Sequence, residues 1–597
     1  MDPIYAAFRR VAGEHGGRSA LMSRHDGEFT PITFEALAEK VRTAAAALKQ
    51  AGIEPGDRVG IFSYNRPEWA IADLAVHAIG GIVVPLYHTL TEDTVAYILR
   101  DSGMKLLFVE NDELLRIVTA ARDQTPELGR IVAFDPVADD DVAQWPDFLG
   151  DVGEAEDPAP ATTTDDVATI VYTSGTTGEP KGVMLTHGNI MFNVEVLREQ
   201  YEVTPDDVYV SYLPLAHIFE RTCGYYLVLL SGATIAYAQS VTTVVEDIQA
   251  VEPTVLAAVP RAIEKAYDTV VRRVEEGSGF QQWLVRSTVR CLNEFANRQY
   301  RGLRIPLLLR GRCVVLNSLV ASKFRRIAGR RLRLIVSGGA PLDRRLAKIL
   351  NILGFLVLEG YGLTETSPSV TAMTMDDVAL GTVGTPIPGV EVKIGDGDEI
   401  LVRGPNVMKG YYGKPEATAE AIDEDGFFHT GDRGRFDGKG RLVITGRIKD
   451  LIVTSYGKNV APSPIEEDLM RKPIVSMAML TGDNRKHISA LLVPDPDIVL
   501  GLASREGVPP APDDPNALLE DERIRREFED VIEKANAKLA NYEKIRRYCF
   551  LPEAPSVENG LLTPTLKLRR NVVAERYAEQ IEDMYRQPEA PAPGRDT

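Results

Sequence analysis

Cysteine is scarce in this chain of 597 residues, where only Cys223, Cys291, Cys313 and Cys549 occur, with no CxxC pair among them. The scarcity excludes the disulfide framework of a small secreted domain, and the spacing gives no indication of a zinc site. No apolar run reaches the roughly 18 residues that a membrane-spanning helix needs, and the first 17 residues lack the apolar core of a signal peptide. We therefore expect a cytoplasmic protein that does not cross a membrane.

Positive charge is also in deficit, with 67 Lys and Arg against 86 Asp and Glu and a formal net charge of −19. This excess of negative charge disfavours a general affinity for phosphate backbones, so we expect no nucleic-acid partner. Hydrophobic residues make up 44% of the chain, which excludes disorder as its main state. The length corresponds to about four domain-sized units.

The apolar pattern predicts an α/β protein with a large N-terminal lobe of several α/β sheets, residues 1–446, and a small α+β domain, residues 447–586. Residues 135–166 carry eleven acidic and no basic side chains, which predicts a solvated linker or surface excursion. A second α/β unit is then expected to begin at Val167. The Pro-rich tail 587–597 is predicted to be disordered.

One segment, residues 270–333, is basic, with fifteen Lys or Arg against three acidic residues. The simpler interpretation is a set of helices whose arginines lie along a solvated face. The alternative is a surface that makes peripheral contact with an anionic membrane or binds a negatively charged cofactor.

A loop rich in hydroxyl groups and glycine follows the β-prone run Ile170–Tyr172, and the helical pattern Ile190–Tyr201 comes after it. Small residues let backbone N–H groups approach phosphate oxygens, hydroxyls add donors and a lysine adds positive charge. The loop therefore predicts a polyphosphate site formed by Thr173, Ser174, Gly175, Thr176, Thr177, Gly178 and Lys181. Pro180 stands where a Walker A loop needs glycine, which disfavours the usual P-loop NTPase. The alternative, a flexible surface loop, explains the composition but not the whole string.

Further motifs follow this loop along the chain: Tyr212–His217 (YLPLAH), Ser337–Leu342 (SGGAPL), Tyr361–Thr366 (YGLTET), Thr430–Asp432 (TGD), Gly446–Asp450 (GRIKD) and Pro564–Lys567 (PTLK). In this order they resemble the adenylate-forming superfamily of acyl-CoA synthetases, luciferases and peptide-synthetase adenylation domains. The combination is most similar to bacterial long-chain fatty acid–CoA ligases.

Two apolar runs that end in glycine-rich loops, 332–336 and 356–358, are expected to bring ligand groups to the carboxyl edge of a sheet. Glycine lets the backbone lie close to a flat base, and Tyr361 offers a ring for stacking, although an ordinary buried tyrosine is the alternative. The resemblance implies an adenine site between Gly339-Ala340 and Tyr361, with Gly362 beside it and Gly338 towards the substrate.

Carboxylates supply the other predicted ligands. Glu365, beside the Thr364 hydroxyl, is the kind of oxygen ligand that Mg²⁺ prefers when it is shared with phosphates, although one such Glu alone is more often a surface charge. Asp432 fits either a turn or an acceptor for ribose hydroxyls. The resemblance implies that Thr364 and Glu365 act in catalysis, Glu365 as the metal ligand, and that Asp432 and Arg447 bind the ribose and phosphates.

His217 has apolar neighbours in the sequence, a pattern more typical of a packed wall residue than of a proton-transferring base. In the family that this chain resembles, the motif lines the acyl-carboxylate pocket. We therefore predict that His217 binds substrate.

Lys567 is the predicted activating residue. A cation that reaches both the attacking carboxylate and the α-phosphate lowers the barrier electrostatically, and the resemblance implies a C-terminal lysine in this role. Leu566 stands where the commonest family form has glycine. The resemblance also implies that the C-terminal domain is mobile, with a hinge at Lys449, and that Gly457 borders the channel for CoA.

The implied reaction joins a long-chain fatty acid to ATP, releases pyrophosphate, and transfers the acyl group to CoA with release of AMP. Three alternatives remain: an acyl-AMP ligase that passes the adenylate to a carrier protein, an inactive ATP- or lipid-binding module, and a luciferase-like oxygenase, which no motif here specifically favours. The sequence does not determine the oligomeric state.

Overall fold

The structure is a computed structural model. It describes residues 1–122, 127–150, 162–173, 179–240, 242–260, 262–267, 304–313, 329–509, 515–556, 559–562 and 568–586, and the single positions 125, 158, 287, 288, 290, 291, 294, 295, 298 and 316. The predictions for Ser174–Gly178, Lys567 and the tail 587–597 fall outside these residues, as does most of 270–333.

The first part of the chain alternates helices and strands, as predicted. Its elements are α1 (Ile4–His15), β1 (Ser19–His25), β2 (Glu28–Thr33), α2 (Phe34–Gln50), β3 (Arg58–Phe62), α3 (Pro67–Ala78), β4 (Ile82–Leu86), α4 (Glu92–Ser102), β5 (Leu106–Val109), α5 (Asp112–Ala121), β6 (Arg130–Ala133), β7 (Ala143–Gln144) and α6 (Trp145–Leu149). The Thr33 hydroxyl caps α2 by accepting from the backbone N–H of Ala36 at 3.2 Å.

The central part of the chain follows the same α/β pattern. Its elements are β8 (Val167–Thr173), β9 (Lys181–Thr186), α7 (His187–Tyr201), β10 (Val208–Ser211), a π-helix (Glu220–Tyr226), α8 (Leu227–Leu230), β11 (Thr234–Tyr237), α9 (Val244–Val251), β12 (Val255–Ala258), β13 (Leu334–Ser337), α10 (Arg344–Leu353), β14 (Leu356–Gly362), a 3₁₀ turn (Thr364–Thr366), β15 (Ser369–Ala372) and β16 (Thr385–Pro386).

The last part of the chain is richer in strands. Its elements are β17 (Glu391–Ile394), a 3₁₀ turn (Asp396–Asp398), β18 (Glu399–Arg403), β19 (Gly410–Tyr411), α11 (Pro415–Ala421), β20 (Phe428–Phe436), β21 (Leu442–Arg447), β22 (Ile452–Val453), β23 (Asn459–Val460), α12 (Pro462–Met470), β24 (Val475–Thr481), β25 (Ile488–Pro494), α13 (Pro496–Glu506), a 3₁₀ helix (Pro515–Glu520), α14 (Glu522–Asn536), β26 (Ile545–Phe550), α15 (Arg570–Arg576) and α16 (Ala578–Arg586).

Two large sheets with parallel centres dominate the N-terminal lobe. One has the order β19-β9-β8-β4-β3-β5-β6-β7, and the other has the order β16-β15-β14-β13-β12-β10-β11-β1-β2. The expectation that a second α/β unit begins at Val167 is wrong, because β8 pairs in parallel with β4 inside the first sheet. A strand's own sequence predicts its extended backbone but not the sheet that it joins.

One continuous hydrophobic core lies between the two sheets. It contains buried side chains of both sheets and of the helices α1, α2, α3 and α7, the π-helix and α8. Helix α3 buries every residue except Glu68, as expected for a helix covered on both sides, whereas α1, α2 and α7 each bury one face. The arrangement fixes the carboxyl ends of the two sheets relative to each other.

A buried polar cluster ties the π-helix to this core. The Arg221 guanidinium is fully buried, forms an ion pair with Asp73 of α3 and donates to the Thr169 hydroxyl of β8 at 2.7 Å. The Tyr226 hydroxyl also donates to Asp73, at 2.8 Å. Since a buried charge is tolerated only when it is paired and hydrogen-bonded, these contacts fix the π-helix against both elements.

The prediction of a solvated linker at 135–166 is wrong for part of that segment. Trp145 and Phe148 of α6 are buried, and both rings pack edge-on against Phe108 of β5 at centroid distances of 5.5 and 5.7 Å. The acidic composition of the whole segment concealed these two aromatic anchors.

The C-terminal residues form a small α+β unit with a three-stranded sheet, β24-β25-β26, and hydrophobic cores of their own. Lys449 lies exposed in the turn between β21 and β22. An ion pair between Arg471 and Asp343 at 3.1 Å joins this unit to the N-terminal lobe. The boundary at 446/447 and the hinge at Lys449 stay predictions.

Across the described ranges, no helix combines the length and the apolar character needed to cross a bilayer.

Candidate functional site

The carboxyl ends of the two large sheets meet at Asn65, which follows β3. Its amide nitrogen donates to the Ser211 hydroxyl at 2.9 Å and to the carbonyl of Leu213 at 2.6 Å, and its carbonyl oxygen accepts from the backbone N–H of Leu215 at 3.0 Å. Ser211 ends β10 of the other sheet. Asn65 therefore fixes the YLPLAH loop, which carries His217, over the junction of the two sheets.

The predicted phosphate loop connects two antiparallel strands, so the loop leads into a strand before the helical pattern begins. Thr173 at the end of β8 pairs with Lys181 at the start of β9. The Lys181 ammonium lies 4.9 Å from the centroid of the Tyr411 ring, within the range of a cation–π interaction. The two described ends of the loop are thus placed at the edge of the sheet next to β19.

Tyr411 also connects this loop to Glu365. Its hydroxyl donates to Glu365 Oε1 at 3.0 Å, and the backbone N–H of Met408 donates to the Glu365 carbonyl at 2.8 Å. Burial raises the pKa of the Glu365 carboxyl. Lys181 and Glu365, which are 184 residues apart in sequence, therefore contact opposite parts of one tyrosine.

Asp432 is the centre of a second cluster. The Tyr361 hydroxyl donates to Asp432 Oδ2 at 2.7 Å, and Arg447 Nε donates to Oδ1 at 2.7 Å. Asp432 and Arg447 face each other in the antiparallel pair β20–β21. An ionised carboxylate has about four acceptor positions, so two remain after these contacts, as many as a ribose diol needs.

The glycines of the SGGAPL loop differ in their surroundings. A side-chain methyl at Gly338 would lie 3.3 Å from the Phe219 ring, whereas Gly339 has a φ of +82° and open space beside it. Gly339 and Ala340 are exposed. The loop therefore packs against the Phe219 ring at Gly338, whereas Gly339 and Ala340 are accessible to a ligand.

Packing alone explains why glycine occupies position 362, since a side-chain methyl there would lie 1.6 Å from the carbonyl oxygen of Pro368. Thr364 lies in the 3₁₀ turn that presents Glu365. Gly457, with a φ of +70°, lies in an exposed turn between β22 and β23. The ligand roles of these three residues stay predictions.

His217 is packed as a wall residue. Its Nδ1 accepts from the backbone N–H of Phe219 at 3.1 Å, and its ring meets the Tyr87 ring edge-on at 6.3 Å. Tyr87 follows β4, so the contact again joins the ends of the two sheets. This geometry agrees with the predicted wall position, and the substrate role stays a prediction.

Three residues at this junction were not predicted from the sequence. Tyr411 and Asn65 lie outside every motif, and the roles of their side chains depend on pairings between distant segments. Glu220 follows the YLPLAH motif by three residues, and its carboxylate accepts from the Tyr209 hydroxyl and from the Ser211 hydroxyl, each at 2.6 Å. Burial raises the pKa of Glu220 to about 8, although the two hydroxyl donors oppose the shift.

We expect the substitution Glu220→Gln to stabilise the protein at high pH. The pKa of Glu220 is higher in the folded chain than the ordinary value of 4.5. The stability that this carboxyl contributes to the folded chain is therefore complete below about pH 4.5. It decreases as the pH rises to about 8, by up to about 1.4 kcal/mol per pH unit. Glutamine imitates the protonated acid at every pH. Thermal unfolding at pH 6 and pH 9 should show an advantage of the variant that grows with pH.

The exposed Glu14→Gln is the matched control in the same lobe and should show no such pH dependence. An equal difference between Glu220→Gln and the unsubstituted protein at both pH values would contradict the raised pKa.

The residues present fit Mg²⁺ when it is shared with phosphates. Among the described residues there is no group of three or more His, Cys, Asp or Glu side chains placed to hold a metal. Glu365 supplies one carboxylate beside the Lys181 strand. Mg²⁺ is commonly held by one or two carboxylates together with substrate phosphates, which matches this donor set.

Together, these elements define an α/β protein in which two clusters, one around Tyr411 and Glu365 and one around Asp432, contain predicted site residues. The AMP-binding enzyme family matches residues 8–412, and the AMP-binding enzyme C-terminal domain matches residues 449–589. The chain belongs to the AMP-binding enzyme family.

Relatives cover almost the whole chain. The long-chain-fatty-acid–CoA ligase FadD15 of Mycobacterium bovis is 35% identical over 593 residues, which is 98% of this chain and 95% of that protein. The peroxisomal long chain acyl-CoA synthetase 7 of Arabidopsis thaliana is 32% identical, and the alignment covers 94% of this chain and 82% of that protein.

Solved structures agree with the fold. ATP-bound MatB from Rhodopseudomonas palustris aligns with a TM-score of 0.71 at 25% identity, over 97% of this chain and 100% of that one. The adenylation domain of a carboxylate reductase from Mycobacterium chelonae aligns with a TM-score of 0.77 at 23% identity, over 98% and 91%.

Proposed function

We propose that this protein is an AMP-forming long-chain fatty acid–CoA ligase. One observation supports the proposal: Lys181 at the end of the phosphate loop and Glu365 both contact Tyr411, and the charges of Asp432 and Arg447 act on the Glu365 carboxyl. The 35% identity to a long-chain-fatty-acid–CoA ligase over 98% of the chain supports the substrate class.

The reaction has two steps. A fatty carboxylate oxygen attacks the α-phosphorus of ATP, and pyrophosphate leaves to give acyl-AMP. The thiol sulfur of CoA then attacks the acyl carbonyl carbon and AMP leaves, which gives acyl-CoA. In the first step two anions approach each other, so Lys181 and Lys567 supply the positive charge that makes the approach favourable.

Within the site, each cluster has a part. Asp432 accepts from the ribose hydroxyls while Arg447 and Tyr361 fix its orientation. Gly339 and Ala340 leave room for the base beside Tyr361. His217 and Gly338 face the carboxyl group of the acid.

Mg²⁺ bound to Glu365 and the phosphates would neutralise charge on the leaving pyrophosphate. We expect Glu365→Gln to lower kcat/KM for adenylate formation by about 10²-fold or more, the scale of removing one preorganised electrostatic contact, and to raise the Mg²⁺ concentration required for half-maximal rate. Pyrophosphate exchange at varied Mg²⁺ measures both.

Glu391→Gln is the control for the Glu365 substitution, because Glu391 is exposed and paired with Arg403. A normal rate and an unchanged Mg²⁺ response in Glu365→Gln would contradict the role of Glu365 as metal ligand.

For the second step we propose that the C-terminal domain rotates about Lys449 and brings the turn at Gly457 to the CoA channel. Both steps use the same carbonyl carbon, so the activating lysine has to leave before the thiol arrives.

We also propose a cytoplasmic location, supported by four free thiols, and peripheral contact with anionic membranes through residues 270–333.

A panel of carboxylic acids tests this function. The protein is incubated with ATP, Mg²⁺ and each acid, with and without CoA, and AMP and the acyl product are measured. We expect acids of 12 to 18 carbons to give the highest kcat/KM, with acyl-CoA formed only when CoA is present. A higher kcat/KM for acetate or an aromatic acid, or release of acyl-AMP without transfer to CoA, would contradict it.

A further inference from the structure

Tyr411 contacts two residues that are predicted to act on the ATP phosphates, each with a different part of its side chain. Its hydroxyl donates to Glu365 Oε1 at 3.0 Å, and its ring lies 4.9 Å from the Lys181 ammonium. The first contact is a hydrogen bond to a carboxylate, and the second lies within the roughly 6 Å at which an aromatic face attracts a cation. Since Tyr411 is only 9% exposed, its ring has little freedom to move away from either partner.

The backbone holds Tyr411 beside the strand that carries Lys181. Strand β19 pairs with β9, and the N–H of Tyr412 donates to the carbonyl of Gly182, the residue after Lys181, at 2.7 Å. The N–H of Tyr411 itself donates to the Thr418 hydroxyl of α11 at 2.9 Å. The ring is therefore fixed against β9 from two directions.

The residues just before Tyr411 attach to the turn that carries Glu365. The N–H of Met408 donates to the Glu365 carbonyl at 2.8 Å. Gly410 has a φ of +144°, and a side-chain methyl there would lie 2.8 Å from the Thr418 side chain, so this position favours glycine. Residues 408–412 thus connect the Glu365 turn to the Lys181 strand through their backbone as well as through the tyrosine.

Each side-chain contact prepares its partner for a ligand. An ionised carboxylate has about four acceptor positions, so the Tyr411 hydroxyl fixes the rotation of the Glu365 group and leaves positions for a metal. Lys181 has a long, flexible stem, and an aromatic face that holds its ammonium in advance reduces the entropy lost when it binds phosphate. Groups fixed before the ligand arrives stabilise its charge most effectively.

An ordinary buried tyrosine does not account for this pair of contacts. Such a residue needs only some acceptor for its hydroxyl and apolar neighbours for its ring. Here the acceptor is the Glu365 carboxylate and the ring meets the Lys181 ammonium, and both of these partners are partly accessible. The two groups that Tyr411 orients are therefore within reach of a ligand.

We propose that Tyr411 is a positioning residue for adenylate formation, which holds Glu365 for Mg²⁺ through its hydroxyl and Lys181 for phosphate through its ring. This role deepens the proposed function, on which it rests. Because the two contacts use different parts of the side chain, two substitutions separate them: Tyr411→Phe removes only the hydroxyl, whereas Tyr411→Leu removes the hydroxyl and the ring.

Calorimetric titration of the full chain with ATP, without fatty acid, measures both contacts in the absence of any reaction. In EDTA we expect Tyr411→Phe to bind ATP like the unsubstituted protein and Tyr411→Leu to bind it about threefold to tenfold more weakly. With Mg²⁺ present, Tyr411→Phe should bind ATP about tenfold more weakly than the unsubstituted protein, the scale of one hydrogen bond to a charged group.

The rate of pyrophosphate exchange gives a second measurement. Tyr411→Phe should raise the Mg²⁺ concentration required for half-maximal rate by about tenfold. In a protein that already carries Glu365→Gln, the same substitution should cause little further change, because the hydroxyl acts through that carboxylate.

Two matched controls lie in the C-terminal domain. Tyr577→Phe removes a hydroxyl that donates to Glu553 Oε1, also at 3.0 Å. Tyr542→Leu removes a 45% exposed ring that lies 5.9 Å from the Lys458 ammonium. Both controls should bind ATP like the unsubstituted protein, with and without Mg²⁺.

An unchanged Mg²⁺ response in Tyr411→Phe, or equal losses by Tyr411→Phe with and without Mg²⁺, would overturn the positioning role. The phenylalanine variant keeps the ring in place, so its result decides the role even where the leucine variant is unstable. Acyl-CoA synthesis by the unsubstituted protein is measured in parallel. Its absence rejects the proposed function, whereas normal synthesis together with a normal Mg²⁺ response in Tyr411→Phe rejects the positioning role alone.

Discussion

Substitution of Asp432 by asparagine should lower kcat/KM for ATP in adenylate formation by about 10²- to 10³-fold. The carboxylate is buried and accepts from Tyr361 and Arg447, and its two remaining acceptor positions would bind the ribose hydroxyls. A hydrogen bond to a charged group contributes about 1.5–3 kcal/mol, and two such bonds account for the expected loss. Asparagine also turns an N–H₂ donor towards one of the existing donors.

Asp398→Asn is the control, because Asp398 also pairs with an arginine, Arg433 at 2.7 Å, but on an exposed edge of the same region. It should leave the rate unchanged. An Asp432→Asn protein that folds and forms the adenylate at the normal kcat/KM would contradict the assignment of ATP binding to this cluster.

Substitution of Lys567 by alanine should separate the two steps of the reaction. We expect adenylate formation to fall by about 10²- to 10³-fold, the scale of losing one preorganised charge at the reacting centre. Formation of acyl-CoA from supplied acyl-AMP should be retained, because the lysine acts only before the thiol arrives. Single-turnover assays of each step measure the two rates.

Lys486→Ala is the control, since Lys486 is an exposed lysine of the same domain. Full adenylate formation in Lys567→Ala, or an equal loss in both steps, would contradict the assignment of the activating charge to this residue.

The sequence predicted the parts of the site that are continuous in the chain. The strand that ends at Thr173, the glycine loop after β13 and the TGD motif each carry a local signal, because backbone freedom and side-chain chemistry lie within a few residues. The resemblance then implied which of these loops share a ligand. In the structure, Tyr361, Asp432 and Arg447 are in contact.

Contacts that depend on distant pairing could not be predicted. Tyr411 reaches Lys181 and Glu365 only because β19 adds to the edge of β9, and no motif marks that pairing. Asn65 acts across two sheets whose relative position follows from the shared helix layer. Composition was misleading at 135–166, where eleven acidic residues in the sequence concealed the two buried aromatic rings of Trp145 and Phe148.

A crystal structure with a non-hydrolysable fatty acyl-adenylate analogue would test the central claim most directly. We expect the ribose hydroxyls within hydrogen-bond distance of Asp432 and the base beside Tyr361. An analogue bound with its ribose away from Asp432, or outside the junction of the two sheets, would contradict the claim that these residues form one adenylate site.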